Sequence, residues 1–110
     1  MNLDELVESI SESDLKAQLS HWIEGWKADD SDVEKLSAII DKWYGNVWFS
    51  DRQSQSKFYE RFQNFKEEAI RGIGGMTVNE RLYWFGLFDH WDNSDGESRD
   101  RIRAKLRAAA

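Results

Sequence analysis

The chain has no cysteine. That excludes disulfides, thiolate zinc sites and thiol nucleophiles. Small secreted domains depend on such staples, so a reducing, cytoplasmic setting is expected. Proline is also absent, so no ring forces a helix to stop by removing a backbone N–H. Helix breaks must come from glycine and from capping residues. No apolar run approaches the roughly 20 residues that span a bilayer. The opening Met1-Asn2-Leu3-Asp4-Glu5 lacks the basic and apolar regions of a secretory signal. The expectation is a soluble protein with no membrane contact.

What is present points to one folded domain over residues 1–110. Hydrophobic residues make up 40% and aromatics 14%, enough bulky side chains to fill a core in a short chain despite its many charges. The net charge of −6 is unevenly spread. Residues 1–48 carry −7, residues 49–93 carry −1, and residues 94–110 carry +2. An acidic body repels nucleic-acid phosphates and attracts basic proteins. Such a surface also serves solubility alone.

Apolar residues recur at helical spacing throughout. Leu3, Leu6, Val7 and Ile10 mark a short first segment. Leu15, Leu19, Trp22, Ile23 and Trp26 form a one-sided stripe behind the cap candidates Ser11 to Asp14. Ser31-Asp32-Val33-Glu34 reads as a capping box, followed by Val33, Leu36, Ile39, Ile40, Trp43 and Tyr44 and by Gly45-Asn46, suited to a left-handed cap. Ser50-Asp51-Arg52-Gln53 reads as a second box. It opens the longest helix, about Asp51 to Arg71, with Phe58, Phe62, Phe65, Ala69 and Ile70 on one face. Gly72-Ile73-Gly74-Gly75 ends it. Thr77-Val78-Asn79-Glu80 is a third box before the most apolar stretch, Val78 to Trp91. Its large side chains predict a central helix buried on nearly all sides, with Gly86 admitting a crossing helix. Ser94 to Glu97 caps a last helix that offers Ile102, Leu106 and the run Ala108 to Ala110 for burial. The predicted fold is all-α, a compact bundle of five or six helices.

No catalytic residues, metal ligands or cofactor site are predicted. His21 and Glu24 share a helix face, but di-iron bundles use the reverse order and use it twice. His90 lies between Asp89 and Asp92, which could orient a general base. No nucleophile elbow accompanies it, and the pattern fits a polar helix end. The glycines at 72–75 follow a helix and lack the lysine of a phosphate-binding loop. The basic run Arg99, Arg101, Arg103, Lys105 and Arg107 suits a helix C-terminus. In an acidic chain it does not predict direct nucleic-acid binding.

The segment Thr77-Val78-Asn79-Glu80-Arg81-Leu82-Tyr83-Trp84-Phe85-Gly86-Leu87-Phe88-Asp89-His90-Trp91-Asp92 resembles one found in small helical bacterial immunity proteins of contact-dependent growth inhibition and polymorphic toxin systems. The resemblance implies a non-enzymatic antidote that grips one cognate toxin. An acidic antidote would occlude the active site of a basic nuclease and reach it quickly by electrostatic steering. The expected contact residues are then Glu24, Asp29, Asp30, Asp32, Glu34 and Asp41. The alternative is an adaptor or phage-derived regulator docking on a host protein through apolar residues, with Trp48 and Phe49, at a hinge between helices, as the exposed aromatics.

Overall fold

A computed structural model describes residues 1–108, so the last two alanines of the expected Ala108 to Ala110 run lie outside the described residues. The fold is all-α. Seven α-helices follow in order: α1 Leu3–Glu8, α2 Ser13–Ala28, α3 Val33–Asn46, α4 Arg52–Phe65, α5 Val78–Phe85, α6 Phe88–Asp92 and α7 Gly96–Lys105. A π-helical turn, Lys66–Arg71, extends α4, and a 3-10 turn, Ile73–Gly75, leads on to α5. The count exceeds the expected five or six because the stretch from Val78 to Trp91 is two helices.

Caps set most of the boundaries. Thr77 and Glu80 form the predicted reciprocal box on α5. Asn2 and Glu5 form another on α1, with both bonds at 2.9 Å, although no cap was predicted there. Elsewhere aspartate displaces the expected serine. Asp32 accepts from the backbone N–H of Glu34 and Lys35, while Ser31 turns back to Asp29. Asp51 accepts from the Ser54 N–H at 2.7 Å. Ionised aspartate is the stronger acceptor at a positive helix start. The cap expected for α2 is absent: Glu12 holds the N-cap position but makes no capping bond, because its carboxylate accepts from the Ser50 N–H instead. The left-handed cap expected at Gly45-Asn46 is also absent. Helix α3 runs through Asn46 and ends on extended Val47.

Glycine decides two boundaries. At Gly72, a Cβ would meet the Glu68 carbonyl oxygen at 2.5 Å, so only glycine closes the π-helical turn there. At Gly86, φ is 64°, and the expected single buried helix breaks. The Leu87 N–H donates to Leu82 O at 2.9 Å and the Gly86 N–H to Tyr83 O at 3.3 Å, the paired bonds of a Schellman helix end. Leu82 and Leu87 are both fully buried, supplying the apolar pair that accompanies this motif. Beyond the break, α6 has no buried residue. At Gly86 a Cβ would meet the side-chain carboxylate of Asp4 on α1, so what comes close there is a side-chain tip and not the backbone of a crossing helix.

Replacement of Gly86 by alanine therefore tests the break by sign. In a helix interior, glycine to alanine stabilises by about 1 kcal/mol. At a left-handed position it costs about 1–2 kcal/mol, and the Asp4 contact adds to that. Denaturation of Gly86→Ala should show destabilisation, partly relieved in an Asp4→Ala background. A stabilised Gly86→Ala would restore the continuous helix.

The centre of the molecule is α4 rather than the segment from Val78 to Trp91. With its π-helical extension, α4 packs against α1, α3 and α5. It contributes buried Phe58, Phe62, Phe65 and Ala69, and these meet Leu6 of α1, Ile40 of α3 and Phe85 of α5 in one core. Each fully buried large side chain contributes about 1.5–3 kcal/mol relative to exposure. Ile102 of α7 and Leu106, its C-cap, join the core as predicted.

Candidate functional site

Helices α2 and α3 run beside each other but do not close fully. Between them lies a groove of about 600 Å³. Its apolar lining comes from Trp22 and Trp26 of α2, Ile39 and Trp43 of α3, and Val47 just after α3. Trp26 and Trp43 are core residues that also form groove wall. Trp22 is 56% exposed, which corrects the expectation that it completes the buried stripe of α2. Trp48 follows Val47 and is 93% exposed, as expected of a hinge aromatic. Phe49 departs from that expectation. It packs against Trp43, Tyr44 and Phe58, each at 6.0 Å between ring centroids, because the chain reverses there to enter α4.

The polar edge of the groove is asymmetric. Lys35 and Lys42 of α3 line it and form no ion pair among the described residues. Among the described residues Asp29 is the one lining carboxylate, and it is engaged by Lys105. Trp43 Nε1 is buried with no acceptor among the described residues, a cost of about 1–3 kcal/mol.

The acidic residues expected on the outward face are exposed, with Asp32 half-buried, and most of them also pair with cations of the chain. Lys105 of α7 is only 2% exposed. Its Nζ donates to Asp29 Oδ1 at 3.0 Å and to Ser31 O at 2.5 Å, and lies 4.2 Å from the centre of the Trp26 ring. Arg107 reaches Asp32 at 3.2 Å and Glu34 at 3.3 Å. The basic end of α7 and the turn after it thus fasten onto the acidic loop between α2 and α3 and the start of α3, setting part of the C-terminal positive charge against the acidic N-terminal segment. Of the remaining expected contact residues, Glu24 pairs with Lys27 at 3.4 Å and Asp41 lies 3.9 Å from Lys66. Asp30 is exposed and forms no ion pair among the described residues.

The titration of this cluster follows its geometry. Burial pushes the Lys105 ammonium below the usual lysine range, against the opposing pull of Asp29. Burial acts to raise Asp29, but hydrogen bonds from Ser31 and Lys105 outweigh it and hold the carboxyl below its ordinary value. At Asp32 burial is likewise outweighed, by Arg107 and by the α3 backbone.

The two histidines have ordinary surroundings. His21 is exposed and sits edge-on to Trp22 at 6.0 Å. Glu24, on the same helix, is turned to Lys27. The backbone carbonyl of His90 accepts from the Ser94 hydroxyl. Among the described residues, no group of three or more metal-ligating side chains converges. No helix among them is long and apolar enough to cross a membrane.

Sequence reasoning missed Trp22, Lys35 and Lys42 as surface features of one groove. The two lysines carried a usable signal: with Ile39 between them they fall at i, i+4 and i+7, one face of α3. Comparison of the chain with family models, curated proteins and solved structures found no match.

Proposed function

We propose that this chain is a non-catalytic protein-binding module whose grip is the groove between α2 and α3. The observation that carries the reading is the pair of exposed tryptophans: Trp22 in the groove wall and Trp48 beside Val47. Folding favours burial of an indole by a few kcal/mol. One left in solvent in the wall of an apolar groove and a second one residue beyond its lining mark a contact surface, since tryptophan is enriched among the residues that dominate binding energy.

The toxin-antidote role, the first expectation from the sequence, is the second reading here, supported by the net charge of −6. Asp29, Asp32 and Glu34 are engaged by the distant Lys105 and Arg107, so an acidic clasp would rest on Asp30, unpaired among the described residues, and on Glu24 and Asp41, whose pairs with Lys27 and Lys66 are longer, at 3.4 and 3.9 Å. The groove favours an apolar contact, as expected of an adaptor docking on a host protein. The test is affinity for the protein encoded by the neighbouring gene. Trp22→Ala and Trp48→Ala should each weaken binding about 30-fold, the effect of losing one dominant aromatic contact, with unchanged helical circular dichroism. Wild-type affinity in both variants would refute docking at the groove.

A further inference from the structure

We infer that the groove receives an amphipathic helix of a partner protein whose apolar stripe is flanked by carboxylates. The inference rests on the groove being the docking site and adds the chemistry of what docks there. The floor is aromatic and aliphatic, from Trp22, Trp26, Ile39 and Trp43, so the occupant presents apolar side chains. Charge complementarity sets the flank. Lys35 and Lys42 are exposed on the α3 side of the groove and have no intramolecular partner among the described residues. The one lining carboxylate among the described residues, Asp29, is bonded to Lys105. The uncompensated charge along the groove is therefore positive, although the chain as a whole is acidic.

Spacing adds a register. Lys35 and Lys42 stand seven residues apart on α3, about 10.5 Å along its axis at the α-helical rise. A helix lying alongside α3 meets both with carboxylates at its own i and i+7 positions. The mode is helix-in-groove recognition, with apolar anchors between charged flanks. A basic active-site cleft would bring its own cations against these lysines, so the docking element is not such a cleft.

The test uses two synthetic amphipathic peptides of about 18 residues, long enough to form several helical turns. They share one leucine stripe and differ only at one flanking i, i+7 pair, glutamate in the first and lysine in the second. Binding is followed through the indole N–H resonances of the intact protein. The glutamate peptide should shift the signals of the groove-lining Trp22 and Trp43 and bind about tenfold more tightly than the lysine peptide at low salt. The Lys35→Glu, Lys42→Glu double variant should reverse that preference. Equal or tighter binding of the lysine peptide at the same indoles would overturn the acidic-flank inference while leaving groove docking intact. Absence of indole shifts with either peptide would overturn both.

Discussion

Replacing Phe85 with alanine is expected to remove about 3–5 kcal/mol of stability through lost transfer energy and the cavity left behind. Phe85 is fully buried, packing edge-on to Phe65 at 5.6 Å and against Trp26 at 6.0 Å. It is thus where α5 meets both α4 and α2. A single domain has about 5–15 kcal/mol in total, so the variant should unfold at a much lower denaturant midpoint. The informative control is Phe88→Ala. Phe88 lies past the Gly86 break and is exposed, so its loss should change stability by only about 0.5 kcal/mol. Comparable losses from both variants would mean that the whole stretch from Val78 to Trp91 is buried and that the break is wrong.

The second large effect belongs to Trp26. Its ring is buried, its Nε1 donates to Asp32 O at 2.8 Å, and Lys105 sits on its face. Trp26→Ala therefore empties the core, removes one of the two donors to the Asp32 carbonyl, which also accepts from the Leu36 N–H, and strips the buried ammonium of its aromatic platform. A loss of about 3–5 kcal/mol is expected from the truncation alone. Trp26→Phe keeps an aromatic platform and gives up the indole donor, so it should fall between alanine and wild type. Chemical denaturation of the three proteins checks the order. A Trp26→Phe variant as unstable as Trp26→Ala would show that packing of the full indole, rather than the lysine platform, governs the site.

How far the fold was legible depended on the range of the forces involved. Helical stripes and aspartate or threonine caps are local, so the positions of α2, α3, α4 and α7 followed from residue spacing. Gly86 was a local signal read the wrong way: the apolar residues on both sides suggested continuity, yet a glycine within such a run is also the usual residue for a left-handed helix end. Trp22 was not legible. It sits on the same side of α2 as Leu15, Leu19 and Trp26, and its exposure comes from the gap that α3 leaves beside it, a tertiary fact. The pairing of Lys105 and Arg107 with Asp29, Asp32 and Glu34 spans more than seventy residues of chain. Charge totals by segment indicated opposite signs at the two ends, but no spacing rule pairs residues so distant. That pairing also changes which variants are informative. Reversing Asp29 or Asp32 removes the partner of Lys105 or the cap of α3, so it perturbs the fold as well as any interface.

The most direct test of groove docking is binding kinetics with the protein encoded by the neighbouring gene, measured across a salt series. Two variants are compared with wild type: the double truncation Trp22→Ala, Trp48→Ala, and the charge reversal of Glu24, Asp30 and Asp41 to lysine, which spares Lys105 and the α3 cap. Buried apolar anchors govern dissociation, whereas rim charges govern association and its salt dependence. The account predicts that the tryptophan variant dissociates at least about 30-fold faster, and that the reversal alters chiefly the association rate. Wild-type dissociation from the tryptophan variant, with binding abolished by the reversal, would contradict it and return the acidic face to the centre of the function.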